Sequence, residues 1–377
     1  MKIYFFQHML TEYNLPLYKK LGKDKSFNIS FYFDSATEVM LNDLGGFIGK
    51  SFAIRWKSLG RQMELYLSHQ FLWRVIRDRP SIVLTEDGSN ILNNLALVFL
   101  RPIINYKLVI WGLGDIPGRK QSFFKRVAFP FIKFVWRKCD AIVAYSSYGK
   151  SIYASSKGVS AGKIYVAQNA VDLGNVEERV LRFKESSPLR SILCNRKVIV
   201  YCGRLVPTKR PRDLIQAFAV VSAQMKEALS LVIMGSGVLE QELKQMCEKL
   251  NLTNCFFVGH RTLEEASEVF AFSDVCVVPG EGGLVLNHAL RHGVPVIVSS
   301  GDGTELDLIN DKQNGRFFHQ GDIADLADKI FEVVSSRSYQ LQAQKSKLNV
   351  PTLDDMEKTF IRTFLSLESS KFPKNHG

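Results

Sequence analysis

The stretch Cys276–Val298, CVVPGEGGLVLNHALRHGVPVIV, is compatible with few folds. An apolar run, Cys276–Val278, stops at a Pro-Gly-Glu-Gly-Gly turn. A short helical pattern follows and ends at Gly293, and a second apolar run starts at Pro295. Strand, glycine-rich loop, helix and strand in that order make a βα unit whose loop delivers the chain to a helix N-terminus. Amides at such a terminus lack intrahelical partners and favour anions, phosphates above all. Glycine in the loop lets a ligand approach the backbone. Any α/β protein has such turns, so the block takes its meaning from its neighbours.

The same order repeats upstream. Lys197–Cys202 runs into Gly203-Arg204-Leu205, Leu229–Met234 into Gly235-Ser236-Gly237, and Cys255–Val258 into Gly259-His260-Arg261. Helical patterns at Pro211–Gln224, Leu239–Leu250, Leu263–Phe272, Leu284–Arg291 and Ile323–Ser335 alternate with these strands and with Val275–Val278 and Pro295–Ser299. This alternation predicts a doubly wound sheet in a domain of about 150 residues. Ligands of such sheets sit beyond the carboxyl ends of the strands, where all four glycine turns fall. One GxG is an ordinary tight turn; four on one rim predict a nucleotide pocket. Arg204 and Lys209 stand five apart on the first of these loops. Two cations neutralise a diphosphate, and an Arg fork takes two of its oxygens at once. Surface charge on a loop is the plain alternative.

The first half also alternates, with strands at Lys2–Gln7, Phe27–Phe33, Ser81–Thr85, Tyr106–Trp111 and Ala141–Ala144, and helices between them, for example Arg61–Arg77. The expected fold class is therefore α/β: two Rossmann-like doubly wound domains facing a cleft. The expected domains are residues 1–190 and 191–350, with a charged linker over 176–195. A helical tail at 351–377 is expected to return to the first domain. His8, Glu86, Asp87 and Asp115 follow strand-like runs and are candidate acceptor-side groups, although strand ends also host structural polar residues. The six cysteines include no CxxC pair and sit mostly in apolar runs, which suits buried free thiols in a reducing cytosol.

Charge is placed unevenly. Residues 1–190 carry 28 Lys and Arg against 15 Asp and Glu; residues 191–377 carry 21 against 22. No acid lies between Asp115 and Asp140, where Arg119, Lys120, Lys125, Arg126, Lys133, Arg137 and Lys138 are interleaved with aromatics. On a helix Arg119, Arg126, Lys133 and Arg137 form one stripe, and Phe124, Val127, Phe131 and Val135 an apolar arc. That basic amphipathic pattern predicts contact with an anionic membrane surface, with Pro130 kinking or dividing the helix. A core helix with a solvated basic face is the alternative. Nucleic acid would also match the charge, but no binding motif supports it. No apolar run of about 18 residues is present to span a bilayer, and the opening MKIYFFQHML reads as a strand, not a signal peptide. The expected location is cytoplasmic, peripheral on the inner face of the membrane.

The series GRL-x3-K, IMGSG, FVGH and PG…GL…AL…GxPVI, over roughly residues 197–335, resembles the C-terminal domain of family 4 retaining glycosyltransferases of the GT-B fold. IVAYSSYGK…GVSAGKIYVAQNAVD and KLVIWGLG resemble parts of that family's N-terminal domain more weakly. The resemblance implies that Arg204 and Lys209 hold a donor diphosphate. It also implies that Gly203, Gly235, Gly237, Gly259, His260, Gly282, Gly283 and Leu284 line the donor pocket. Where the family usually has a Glu pair eight residues apart, strict register here puts Gly280 and His288. The chain resembles a branch with HAL in place of EAM; carried over from the usual Glu pair, Glu281 is the candidate for the sugar, with the loop shifted, and His288 for the ribose, a packed helix histidine being the alternative. Glu305 falls near a GPE segment of the family.

The implied reaction moves a sugar from a nucleoside diphosphate sugar to a hydroxyl of a glycan or lipid-linked acceptor. The anomeric configuration is retained by same-face substitution, without a protein nucleophile. No DxD motif is present, and no metal or other cofactor is expected. Assembly of bacterial surface polysaccharide is the expected setting. Two alternatives stay open: a non-catalytic nucleotide-sugar-binding or membrane scaffold, motivated by the missing acids, and a sugar-nucleotide epimerase of the same fold.

Overall fold

A computed structural model describes residues 1–35, 42, 44, 46–48, 52–58, 61–88, 90–114, 123–187, 189, 193, 195–225, 228–299, 301 and 303–369. The chain forms two compact units, Met1–Asp172 with Thr352–Gly377, and Leu173–Pro351.

The first unit contains β1 (Lys2–Met9), α1 (Leu15–Lys23), β2 (Asn28–Ser35), β3 (Phe47–Ile48), β4 (Phe52–Ser58), β5 (Arg61–Leu67), α2 (His69–Asp78), β6 (Ile82–Glu86), α3 (Ile91–Ile104), β7 (Lys107–Gly112), α4 (Phe123–Lys138), β8 (Ala141–Ala144), α5 (Ser147–Ser155) and β9 (Ile164–Val166). Seven strands form a parallel sheet in the order β3-β2-β1-β6-β7-β8-β9. Both faces are covered, so the strands are apolar almost throughout. Ile3 and Phe5 join α1 and the C-terminal helix Leu353–Ser369 in one core; Tyr4 and Phe6 join α2, α3, α4 and α5 in the other. In the first core Phe360 is fully buried, with its ring 5.2 Å from that of Trp111 and 6.1 Å from that of Phe5.

Two local expectations change here. Residues 61–67, read as the start of a helix, are β5, paired antiparallel with β4. The alternation of Met63, Leu65 and Leu67 with polar neighbours is a period of two, and pairing satisfies it; the helix begins only at His69. Pro130 does not divide α4. Proline removes the hydrogen bond to the carbonyl four residues back, here that of Arg126. Both residues are exposed, so water can serve that carbonyl.

The second unit contains α6 (Val176–Ser186), β10 (Lys197–Cys202), α7 (Pro211–Gln224), β11 (Leu229–Met234), α8 (Glu240–Lys249), β12 (Cys255–Gly259), α9 (Leu263–Ala271), β13 (Val275–Val278), α10 (Val285–Arg291), β14 (Val296–Val298), α11 (Glu305–Leu308), β15 (Gly315–Phe317), α12 (Ile323–Ser335) and α13 (Arg337–Ser346). Its parallel sheet runs β12-β11-β10-β13-β14-β15. The chain winds outward from β10 to β12, then returns to lay β13 on the other side of β10. The loops after β10 and β13 therefore diverge at the switch point, where sheets of this kind bind ligands.

The linker expected over 176–195 and the boundary at 191 move. Residues from Leu173 belong to the second unit. Residues 176–186 are α6, which packs on α9 and adds an Arg182–Glu264 ion pair of 2.7 Å. An Asn175 N-cap and two glutamates in the first turn start that helix. Among the described cysteines Cys139, Cys202, Cys247, Cys255 and Cys276 are free.

Truncating Phe360 leaves a cavity among rings that do not easily collapse. Phe360→Ala is expected to lower stability by about 3–5 kcal/mol, read from the urea midpoint at constant slope.

Candidate donor site and acceptor-side cluster

The loop after β10 is fixed by its own backbone. Tyr201 Oη donates to the Arg204 carbonyl at 2.9 Å. The Gly203 amide donates to Met234 O at 3.0 Å, Leu205 N to Ser236 O at 2.9 Å, and Gly235 N to Gly259 O at 2.7 Å. The three glycine turns are thus stitched together along the rim. A Cβ on Gly235 would lie 1.9 Å from Gly203 O, and one on Gly237 2.4 Å from Leu205 O. These two glycines, read as donor-binding, are required by loop-on-loop packing whether or not a ligand is bound. Gly259 ends β12 and His260 is exposed beyond it.

Lys209 closes the 3-10 turn Pro207–Lys209, which leads through Arg210 into the proline that opens α7. Its ammonium donates to the carbonyls of Glu281 at 2.6 Å and Gly282 at 2.8 Å. The Glu281 amide returns a bond to Thr208 O at 3.2 Å. Lys209 therefore bridges the two loops of the switch point, with Glu281, Gly282, Gly283 and Leu284 half-buried beside it. Arg204 is exposed on the same rim. Gly280 packs directly on this bridge: a Cβ there would sit 2.3 Å from Thr208 O. No side chain fits at that position, which places the loop's only carboxylate one residue later, at Glu281.

Two expected ligand contacts take other roles. His288 is buried, with Nε2 2.9 Å from Ser267 Oγ and its ring 4.6 Å from that of Phe270. It is a packed helix histidine, not a group turned to a ribose. Glu305 is also buried; its carboxylate accepts from the amides of Gly301 at 2.7 Å and Gly303 at 3.0 Å. It shapes the loop after β14. Among the described residues no group of three His, Cys, Asp or Glu is placed to hold a metal ion.

In the first unit, β1, β2 and β6 end side by side, and their last residues converge. His8 Nδ1 lies 3.2 Å from Asp34 Oδ2, Ser68 Oγ donates to Asp34 Oδ1 at 2.6 Å, and the His8 ring lies 4.0 Å from that of Tyr66. The His8 amide donates to Glu86 Oε2 at 3.0 Å. Burial pushes the Glu86 carboxyl above its ordinary range, opposed by the bonds from His8 and Gln7. His8 and Glu86 thus share one cluster. Asp34, Ser68 and Tyr66 escaped the sequence reading, although Asp34 follows a strand-like run just as His8 does. Asp87 leaves the candidate set: its carboxylate accepts from Trp136 Nε1 at 3.0 Å and Tyr153 Oη at 2.8 Å, a brace between β6, α4 and α5. Asp115 lies outside the described residues.

Arg119, Lys120 and the side chain of Lys125 also lie outside them. Arg126 and Arg137 are exposed and Lys133 is half-exposed along one side of α4. The core face is Ala128, Ile132, Val135 and Trp136; of the apolar arc expected to meet a membrane, Val127 and Phe131 are exposed and Val135 is buried. Exposed Phe99 and Ile103 on α3 and Trp73 and Ile76 on α2 extend this apolar outer surface, with the Arg77 guanidinium 4.6 Å over Trp73. Among the described residues no helix is long and apolar enough to cross a membrane.

Comparison with known proteins agrees with this architecture. Residues 188–348 match the family described as Glycosyl transferases group 1. A poly(ribitol-phosphate) alpha-N-acetylglucosaminyltransferase of Staphylococcus aureus is 31% identical over 147 residues, 37% of this chain and 29% of that protein. An N-acetylgalactosamine-N,N'-diacetylbacillosaminyl-diphospho-undecaprenol 4-alpha-N-acetylgalactosaminyltransferase of Campylobacter jejuni is 31% identical over 133 residues, 35% of this chain and 33% of that one. The chain thus spans about a third of the length of these relatives. Anabaena HepE, solved with UDP, superposes over 97% of this chain and 100% of its own with a TM-score of 0.75 at 17% identity. Residues 188–348 thus carry the group 1 glycosyltransferase match, similar to family 4-type enzymes, and the chain has the GT-B fold.

The buried histidines give the second unit a pH dependence. Burial, then His292 and Arg179, holds His288 well below the ordinary imidazole range. Burial lowers His292 to about 4, against the hydrogen bond to His288 O. Both are neutral when folded and bind protons more readily when unfolded. Stability is therefore full above the unfolded pKa of about 6.5 and declines as pH falls toward 4. The melting temperature of the second unit is expected to drop between pH 6.5 and 4.5. His292→Asn should flatten that slope in a thermal scan series; an unchanged slope would assign the loss to other groups.

Proposed function

We propose that the protein transfers a glycosyl group from a nucleoside diphosphate sugar to a hydroxyl of a glycan or lipid-linked acceptor, with retention at the anomeric carbon. The observation that carries this reading is the Lys209 bridge at the switch point of the second unit. It fixes a cation in place before any ligand arrives, beside exposed Arg204. Departure of the donor's diphosphate builds negative charge, and preorganised cations stabilise that charge most in the transition state. Arg204 and Lys209 supply this without a metal ion. Glu281, the loop's carboxylate, is the residue assigned to the sugar. Same-face substitution needs no protein nucleophile, and none is assigned.

HepE was solved with UDP, which supports a nucleoside diphosphate donor. The names of the Staphylococcus and Campylobacter relatives contain a polyol phosphate and a diphospho-undecaprenol, which supports an acceptor from surface polysaccharide assembly. In the first unit, His8, oriented by Asp34 and packed against the Tyr66 ring, is assigned to the acceptor hydroxyl. The outer surface of α2, α3 and α4, apolar and lined by Arg126 and Arg137, is assigned to peripheral contact with an anionic membrane face.

Incubation with a panel of UDP- and GDP-sugars, with and without EDTA, tests the reaction. Transfer that survives EDTA is expected. Tight nucleotide binding without transfer or hydrolysis of any donor would instead favour a non-catalytic binding protein, in keeping with Gly280 and the buried His288. Arg204→Ala should weaken nucleoside diphosphate binding by about tenfold or more, measured by calorimetry; unchanged affinity removes Arg204 from the site. Charge reversal at Arg126 and Arg137 together should abolish co-sedimentation with anionic vesicles. Undiminished co-sedimentation of that double variant rules out the assigned membrane face.

A further inference from the structure

Two of the free cysteines meet at one edge of the second unit. Cys247 lies in the last turn of α8, and Cys255 opens β12, the edge strand of the sheet. The chain between them is short and tied at both ends. Helix α8 gives way to a left-handed turn at Asn251, with φ 55°. There the Leu252 amide donates to Cys247 O at 2.9 Å and the Asn251 amide to Glu248 O at 3.0 Å, the paired bonds that reverse a chain at a helix end. Asn254 then docks on β11: its Nδ2 donates to Leu229 O at 2.7 Å, and its carbonyl accepts from Leu231 N at 2.9 Å. Cys255 takes its place beside Leu231 in the parallel register. These constraints return the chain to the flank of α8, where a hydrogen bond joins the two thiols. Both cysteines line one cavity of about 490 Å³, whose other walls include exposed Glu248, Asn251 and Thr253. The remaining described thiols are placed differently. Cys139 donates to Trp136 O at 3.2 Å, and Cys276 is fully buried in β13.

We infer that Cys247 and Cys255 form a reversible disulfide when the protein meets a hydroperoxide, with Cys247 the attacking sulfur and Cys255 the resolving one. The Cys255 thiol donates to the Cys247 sulfur. That bond favours the Cys247 thiolate, against burial and the neighbouring Glu248. The same bond, with burial, keeps the Cys255 thiol protonated. The thiolate is the nucleophile. It attacks one oxygen of hydrogen peroxide, the O–O bond breaks, and the departing oxygen takes up the Cys247 proton and leaves as water. Cys247 is then a sulfenic acid. The Cys255 sulfur attacks the Cys247 sulfur, the S–S bond forms, the S–O bond breaks, and the hydroxyl leaves as water with the Cys255 proton. Two electrons pass from the thiols to the peroxide. The sulfurs are already in contact, so the move to the disulfide spacing of about 2.0 Å is short. The bond ties the edge strand to the helix beside it. Every group involved lies away from the Lys209 bridge, and none takes part in glycosyl transfer, so the inference does not depend on the proposed reaction.

Peptide mapping of the full chain tests the pair. The reduced protein is treated with hydrogen peroxide, remaining thiols are capped with N-ethylmaleimide in urea, and tryptic peptides are weighed without reductant. Cleavage after Lys244, Lys249 and Arg261 places the two cysteines on separate peptides, QMCEK and LNLTNCFFVGHR. The expected product is these two peptides linked, lighter than their sum by two hydrogen atoms and absent after dithiothreitol. It should form at least about tenfold faster than the thiols of Cys139, Cys202 or Cys276 are lost, because oxidation needs a thiolate within reach of the oxidant. Cys255→Ser should stop at the sulfenic acid, trapped on Cys247 by dimedone, and Cys247→Ser should give no dimedone adduct on Cys255. The wild-type map decides the proposal even where a variant fails to fold. Capping of both cysteines after peroxide, or linkage of either to a different cysteine as the main product, overturns the proposal. Dimedone trapped on Cys255 in place of Cys247 overturns the assigned order of attack.

Discussion

Lys209 is the interaction on which the second unit's rim depends. Its ammonium joins the carbonyls of Glu281 and Gly282, and so ties the loop after β10 to the loop after β13 where the sheet's winding reverses. Those loops leave the sheet in diverging directions, and nothing in the strand pairing itself would hold them together. A lysine at the end of a short 3-10 turn spans the gap, and Gly280 lets the two backbones touch behind it. The same contact concentrates positive charge where the fold presents it to a ligand. Structure and electrostatics share one side chain there.

Polar groups in both units divide into braces and working groups, and burial with satisfied partners separates them. Asp87 and Glu305 each accept from several donors and complete the framework. His288 is sealed against Ser267 and Phe270. His8 differs because its partner, Asp34, is the buried member of the pair, while the imidazole keeps about a quarter of its side chain exposed. A carboxylate behind a half-exposed histidine orients the ring without enclosing it. Half-buried Glu86 keeps its carboxyl protonated to higher pH than an exposed one, because desolvation disfavours its charge. The cluster therefore offers hydrogen-bonding groups at a strand-end rim.

Helix α4 shows how one periodic sequence serves two surfaces. Its aromatic and basic residues alternate so densely that several helical arcs look amphipathic. The arc that meets the sheet is set by the partners available on β7 and β8, and these select Ala128, Ile132, Val135 and Trp136. Val127 and Phe131 are left outside beside α3, whose own Phe99 and Ile103 are exposed. On its other side the helix meets α5 and leaves a cavity rather than a tight seam.

The sequence alone determined the parallel sheets, the glycine rim and the pair Arg204 and Lys209, because each is written in local order: an apolar run, a turn, a helix. It misread 61–67, since seven residues with mixed spacing satisfy two periods until a partner strand chooses one. It placed the unit boundary late, because a charged helix such as α6 shows its allegiance only through what it packs on. Tertiary structure decided which polar residues are spent. Asp87, His288 and Glu305 look as available in sequence as His8 and Glu281 do; neighbours many residues away consume Asp87 and His288, and the folded loop just before it consumes Glu305. It also made Asp34 a partner of His8, for parallel register brings together residues that no local pattern relates.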